Sequence, residues 1–282
     1  MADLTISQTG LRIVRRADFS RVHEGHSPGG PQDRISSSVA NLLVGNARDA
    51  DAIEWTMAPG EIHFSKRTLI VVAGAPSHAT IDDQRIPTWE VVEAPAGSTL
   101  KVKIGSSGCR TYVAVAGGFR QSISPPTSSQ DQRIGFSRAR VGLPAPWVAH
   151  HGMLRFCKGP ESAIVRQNPS GKWTVSPQSS GMGVRLTHHQ WNSKIPDLPS
   201  APVADGTIQA TPFGPIILLR NRGTLGGYPR IGQIITADVD RVAQLRPGDV
   251  VDLTEITEQE ALEISILMTS WLERFSIICR EI

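Results

Sequence analysis

Two segments of the chain are made of residues that hold ligands more readily than they fill cores. The first is Asn221-Arg222-Gly223-Thr224-Leu225-Gly226-Gly227-Tyr228-Pro229. Paired glycines let a backbone come close to a ligand, and they leave N–H groups free to hold an oxyanion or a carboxylate. Arg222 adds a planar fork for bidentate recognition of a carboxylate or phosphate, and Tyr228 adds a hydroxyl on a rigid ring. The second segment, Ser176-Pro177-Gln178-Ser179-Ser180-Gly181-Met182-Gly183-Val184-Arg185-Leu186, is a polar, small-residue loop between apolar stretches. On residue types alone two readings stand: a loop for an anionic ligand, or a Gly-rich turn carrying an exposed Arg.

Other chemistries lack their residues. No G-x-x-x-x-G-K-[ST], G-x-S-x-G or H-E-x-x-H occurs, which disfavours a phosphate-binding P-loop, a hydrolase nucleophile elbow and a zincin. His150-His151 and His188-His189 are adjacent pairs, and neighbours on a strand point to opposite faces, so neither pair suits one metal ion. No metal is expected. Cys109, Cys157 and Cys279 are odd in number and lack C-x-x-C spacing. They read as small buried hydrophobes in a reducing, cytoplasmic setting. The formal charge of +3, from 29 basic and 26 acidic residues, is too small and too evenly spread for a nucleic-acid partner. No apolar run approaches a membrane span, and Asp3, Arg12, Arg15 and Arg16 interrupt any leader-like stretch.

The elements that must position these segments are mostly short strands. The 282 residues include 26 Gly and 20 Pro, an excess that favours strands and turns over long helices. A helix is expected from Asp33 as N-cap to Val44, with Ile35, Val39, Leu42 and Leu43 as its apolar stripe. Strands are expected at residues 53–57 with one wet face, then at 69–73, 100–104, 110–116, 153–157, 173–176, 215–220 and 250–253. Residues 121–152, with Pro125-Pro126, Pro144 and Pro146, read as a linker. They separate an N-terminal β-rich part (1–120) from a C-terminal part (153–282). In the latter, Asp238 is expected to cap a short helix, and Arg246-Pro247-Gly248-Asp249 to make a type II turn. Thr257-Glu258-Gln259-Glu260 fits a capping box opening a terminal amphipathic helix with Ile264, Leu267, Trp271 and Phe275 on one face. That stripe packs on its own domain or, through Trp271, meets a partner.

Several stretches resemble the KipA family, the allophanate hydrolase subunit 2 or carboxyltransferase C/D-type family, which includes the C subunit of bacterial 5-oxoprolinase. They are Pro28-Gly29-Gly30-Pro31-Gln32-Asp33, Ala40-Asn41-Leu42-Leu43-Val44-Gly45-Asn46, Tyr112–Gly118, Ser176–Leu186, Gly206-Thr207-Ile208-Gln209, Gly226-Gly227-Tyr228-Pro229 and Ala243–Asp249. The resemblance implies a mainly β fold with a few helices, a cyclophilin-like β-barrel architecture in two β-rich parts. It implies a subunit of an ATP-dependent amide- or lactam-processing hydrolase that opens 5-oxoproline to glutamate beside a KipI-type chain, with a LamB/YcsF-like chain as a further partner. ATP is then used by the complex, no cofactor is bound by this chain alone, and biotin enters only if another chain carries it.

For substrate contact the resemblance and the residue chemistry together point to Gln209, Arg222, Thr224, Gly226, Gly227 and Tyr228, with Ser179, Met182 and Arg185 as the facing wall. The family's usual V-Q-D-x-G-R-x-G stands here as Val14–Arg21, its S-D-R-M-G as Ser179–Gly183, and its D-R-Q-T-T-G-G-Y as Asn221–Tyr228. Charged or hydrogen-bonding side chains are lost in all three, while the Gly and apolar framework stays. The alternatives are therefore a non-catalytic regulatory partner of a KipI-like protein, or the carboxyltransferase component of a biotin-dependent, urea carboxylase-like system.

Overall fold

The computed structural model describes residues 4–7, 11–58, 60–118, 152–165, 168–188, 191, 194–196 and 198–281. His150, His151 and nearly all of the expected linker lie outside them. Two compact units result, each drawn from separated stretches of chain. The first comprises Met1–Arg16, Ile35–Gly142 and Leu272–Ile282; the second comprises Ala17–Arg34 and Leu143–Trp271. The expected division at one linker thus differs from this partition, in which residues 17–34 group with the C-terminal stretch and 272–282 with the N-terminal one.

The first unit contains β1 (Leu4–Ser7), β2 (Leu11–Val14), β3 (Ala52–Thr56), β4 (Gly60–Phe64), β5 (Thr68–Gly74), β6 (Ser77–Ile81), β7 (Gln84–Ile86), β8 (Val92–Ala94), β9 (Thr99–Ile104) and β10 (Arg110–Val115). They form two sheets, β1-β4-β9-β6-β7 and β2-β3-β10-β5-β8. Ile53, Trp55, Ile70 and Val113 from one sheet and Ile62, Phe64, Leu100 and Val102 from the other share one core, so this unit is a sandwich.

The wet face expected of β3 is absent, because Glu54 is 1% exposed. Register sets Arg12 of β2 and Tyr112 of β10 directly opposite it. Arg12 Nε donates to Oε1 at 2.8 Å and the Tyr112 hydroxyl to Oε2 at 2.8 Å. A charged residue on a central strand is tolerated because its neighbours supply the partners that water would.

The helix α1 (Arg34–Leu43) buries the expected stripe. Asn41 Nδ2 donates to the Ala50 carbonyl, while Asn46 donates to the Val115 carbonyl and accepts from the Gly117 N–H. The Ala40–Asn46 motif is therefore scaffolding that ties the helix end to β10.

In the second unit β11 (Met153–Lys158), β12 (Gly171–Val175), β13 (Gly183–Thr187), β15 (Thr207–Thr211), β16 (Gly214–Leu218), β18 (Arg230–Ile234) and β19 (Val250–Glu255) close a barrel, ordered β11-β18-β15-β16-β13-β12-β19. Only β11 and β19 pair in parallel among these strands. Outside the ring, β14 (Ala201–Pro202) pairs with β17 (Leu225–Gly226). The molecule is mainly β, with three α-helices among the described residues and the expected barrel in this unit.

Helix α2 (Thr236–Val242) corrects one expectation. Ile235 is its N-cap, without a side-chain bond, and Asp238 sits inside the helix with no exposure. Its carboxylate receives the Arg155 Nε at 2.9 Å, Nη2 at 2.7 Å and backbone N–H at 2.8 Å, which staples α2 to β11. The type II turn is as expected: Gly248 has φ +90° and the Asp249 N–H reaches the Arg246 carbonyl at 3.0 Å. So is the capping box opening α3 (Glu258–Glu281), where Thr257 N–H meets Glu260 Oε2 at 2.9 Å and Glu260 N–H meets Thr257 Oγ1 at 3.2 Å. Of the α3 stripe, Phe275 is buried and Ile264 and Trp271 half-buried, but Leu267 is 71% exposed.

No described helix is long and apolar enough to cross a membrane. Cys109 is buried, Cys157 and Cys279 are half-buried, and none of the three is in a disulfide.

Candidate functional site

Strand alternation decides which residues can meet on the barrel. Val184, Leu186, Ile208, Ala210 and Ile217 point into its core, so Arg185, Gln209 and Ile216 point outward. Register aligns them: Arg185 faces Ile216, Ile216 faces Gln209, and Gln209 faces Arg230. These four make one row across β13, β16, β15 and β18 on the outer surface.

Gln209 is nonetheless only 5% exposed, because the Gly-Gly-Tyr-Pro turn lies over it. Its Nε2 donates to the Tyr228 carbonyl at 3.1 Å, and a Cβ added to Gly226 would come 2.5 Å from that nitrogen. Glycine is required at 226 by this approach rather than by a positive φ. Gly226 is held by Ala201 across the β14–β17 ladder, and the Thr224 carbonyl accepts from the Val203 N–H. The N–H groups of Gly227 and Tyr228 have no acceptor among the described residues, and the Tyr228 ring is exposed.

The two arginines of the row differ. Arg230 is neutralised by Glu161, with Nη2 2.5 Å from Oε1 and Nε 2.8 Å from Oε2. That hydrogen bonding raises the arginine's pKa and lowers the glutamate's. Arg185 is half-buried, and its guanidinium has no acceptor among the described residues. Ser179 holds the strand beneath it, its Oγ accepting the Arg185 N–H at 3.0 Å. Met182 is exposed at the start of β13.

Arg222 is placed differently from an exposed ligand arm. It is 7% exposed; its Nε donates to Asp205 Oδ1 at 3.0 Å and its Nη1 to the Gly223 carbonyl at 3.1 Å. Asp205 also receives Arg34 Nη2 at 3.3 Å, and Arg220 Nη2 lies 2.8 Å from Asp240. Gln32 completes the cluster: its backbone carbonyl accepts from Arg220 Nη1, its Oε1 from the Arg220 N–H, and its Nε2 donates to the Gly181 carbonyl. Burial lowers the pKa of Arg34, and repulsion from Arg220 adds to it, with Asp205 and Asp240 opposing.

So the structure brings Arg185, Gln209, Gly226, Gly227 and Tyr228 to the outer row and its covering turn. Ser179 supports the row from behind, Thr224 anchors the turn, and Arg222 belongs to a buried ion network. The residue pattern gave no hint of Asp205, Arg34, Arg220 and Asp240. Only Arg222, expected as a ligand arm, and Gln32, inside the Pro28–Asp33 motif, marked that network. Among the described residues no cluster of His, Cys, Asp and Glu could hold a metal ion.

Comparison with known proteins now decides the family. The model for the carboxyltransferase domain, subdomains A and B, matches residues 24–137 and 122–255. The chain belongs to that carboxyltransferase-domain family. It is 30% identical over 290 residues to the C subunit of 5-oxoprolinase from Escherichia coli K12, covering 90% of this chain and 93% of that one. A putative urea carboxylase of Emericella nidulans is 27% identical, over 90% of this chain but 24% of the other. Among solved structures, TTHA0988 superimposes with a TM-score of 0.76 at 28% identity over 90% of this chain, which spans 56% of that one. The K. lactis urea amidolyase gives 0.81 at 20% identity, over 97% of this chain and 20% of that one, a likeness of fold. Within this family the Ala40–Asn46 motif and the Gly-Gly-Tyr-Pro turn are the stretches that the geometry explains most fully.

Proposed function

We propose that this carboxyltransferase-domain protein is the C-type subunit of an ATP-dependent amide- or lactam-processing hydrolase of the 5-oxoprolinase kind. It opens 5-oxo-L-proline to L-glutamate beside a KipI-type partner. The observation that carries the reading concerns Arg185, whose guanidinium has no acceptor among the described residues. It stands on the same row as Gln209, beneath a turn whose Gly227 and Tyr228 N–H groups likewise have none. The end-to-end match to the C subunit of a 5-oxoprolinase supports the substrate.

In this reading Arg185 takes the substrate carboxylate in a charge-assisted, bidentate bond. The Gly227 and Tyr228 N–H groups stabilise the oxyanion that develops on the lactam carbonyl as water adds. Gln209, fixed to the Tyr228 carbonyl, holds the turn in place. ATP, used by the complex, activates the lactam carbonyl. The buried Arg222–Asp205 pair positions the start of the turn.

A second reading, a non-catalytic regulatory partner of a KipI-like protein, is supported by the charged positions lost in Ser179–Gly183 and at Asn221. The third, a carboxyltransferase component served by biotin on another chain, is supported by the urea carboxylase relative. The test is co-expression with KipI-type and LamB/YcsF-like chains, followed by assay of glutamate from 5-oxoproline with and without ATP. ATP-dependent glutamate release is expected. A stable complex that releases none supports the regulatory reading, and carboxylation of urea from carboxybiotin supports the third.

A further inference from the structure

A separate hollow of about 330 Å³ opens elsewhere on the second unit, lined by Asn168, Ser170, Gly171, Lys172, Trp173, His188 and Trp191. None of these belongs to the outer row or its covering turn. Trp173, a buried member of the barrel core, lines it from beneath, with His188 5.6 Å away at 63° and Trp191 5.5 Å away at 68°, both edge-to-face.

Both indole N–H groups are already used. Trp173 Nε1 donates to the Pro169 carbonyl at 2.7 Å and Trp191 Nε1 to the Thr211 carbonyl at 2.9 Å. The tryptophans are thereby locked in orientation and offer a visitor only carbon edges and π faces. Gly171 leaves the floor open, since a Cβ there would meet nothing within 4 Å. Lys172 is the one lysine or arginine lining the hollow, and it has no carboxylate partner among the described residues. The imidazole of His188 is exposed beside it.

Two accessible rings, His188 and Trp191, set over the buried Trp173, together with the Lys172 ammonium and a volume that suits a bicyclic molecule, define one ligand chemistry. We propose that this hollow is a second binding site, for a small planar aromatic carrying an anionic group. The ring stacks against Trp191 and His188 over the edge of Trp173, and the anion pairs with the Lys172 ammonium.

The test is calorimetric titration of the full chain with four probes: indole-3-acetate, indole, acetate and tryptamine. Indole-3-acetate is expected to saturate the protein, with indole weaker and acetate and tryptamine silent. Lys172→Gln, a surface change that leaves the fold alone, is expected to weaken indole-3-acetate about fivefold and leave indole unchanged. Trp191→Ala is expected to weaken both about tenfold, with Trp191→Phe restoring most of it. Circular dichroism of each variant separates loss of binding from loss of fold. The proposal is overturned if wild type binds no indole-3-acetate, if tryptamine binds equally well, or if Lys172→Gln and Trp191→Ala both leave its affinity unchanged. Displacement of indole-3-acetate by 5-oxoproline would also overturn it, since the two sites are then one.

Discussion

Arg185 and Arg222 have the same side chain and opposite circumstances, and they predict opposite mutant phenotypes. Arg185 has no acceptor within the protein among the described residues, so its guanidinium is available to a ligand. In the co-expressed complex, Arg185→Ala is expected to weaken 5-oxoproline by about 10–150-fold, the value of a charge-assisted hydrogen bond of about 1.5–3 kcal/mol. Arg185→Lys restores part of it, because an ammonium lacks the fork. Urea unfolding of Arg185→Ala should overlay the wild type. Arg222→Ala instead leaves Asp205 short of a partner in a largely buried place. The expected cost is about 3 kcal/mol of stability, read by urea unfolding. Equal stability of Arg222→Ala and wild type would show that the network is dispensable and remove the positioning role from Arg222.

The elements hold these residues through a few contacts that sequence patterns mark unequally. Asp238 joins α2 to β11, and its pH dependence has a definite sign. Burial works to raise its pKa, but hydrogen bonding from Arg155 and the charge of Arg241 win and hold it below the ordinary aspartate value. A depressed folded-state pKa gives stability that is fully present above the unfolded value, about 3.9, and is lost as pH falls through the folded one. Stability should therefore decline below about pH 4. Asp238→Asn should be less stable at neutral pH and show a flatter acid limb in urea titrations at stepped pH. At the β15–β16 turn, Gly214 has φ +127° and a Cβ would sit 2.2 Å from the Leu186 carbonyl oxygen. Gly214→Ala should cost at least about 2 kcal/mol by the same measurement.

Patterns with local causes were legible: the α1 stripe, the 246–249 turn and the Thr257–Glu260 capping box each depend on residues within one or two turns of chain. Contacts across the sequence were not. Glu54 looked wet because alternation cannot show that Arg12 and Tyr112 will face it, and Asp238 looked like a cap because Arg155 is 83 residues away. For the site, the motifs located the Gly-Gly-Tyr-Pro turn and Gln209. The assignment of the available guanidinium to Arg185 rather than Arg222 needed the register of β13 and the position of Asp205.

At the scale of the whole molecule, the two proposed sites lie in one unit but on different parts of it, which makes their independence measurable. A ligand that binds only the folded state stabilises it by RT ln(1 + [L]/Kd), about 2.7 kcal/mol at a hundredfold excess over Kd. Stabilisation of this kind slows amide exchange most where the ligand's own contacts suppress local opening. In the co-expressed complex, 5-oxoproline should protect peptides spanning 182–186, 207–211 and 225–230. Indole-3-acetate should protect those spanning 168–173 and 187–191. With both ligands present, the two patterns should superimpose without loss, because separate sites that share no residue add. Arg185→Ala should erase the first pattern and keep the second, and Trp191→Ala the reverse. Protection of the same peptides by both ligands, or the loss of both patterns in either variant, would mean a single site and a single function for that surface. Protection by indole-3-acetate alone would leave the aromatic hollow in place and remove 5-oxoproline as this chain's substrate.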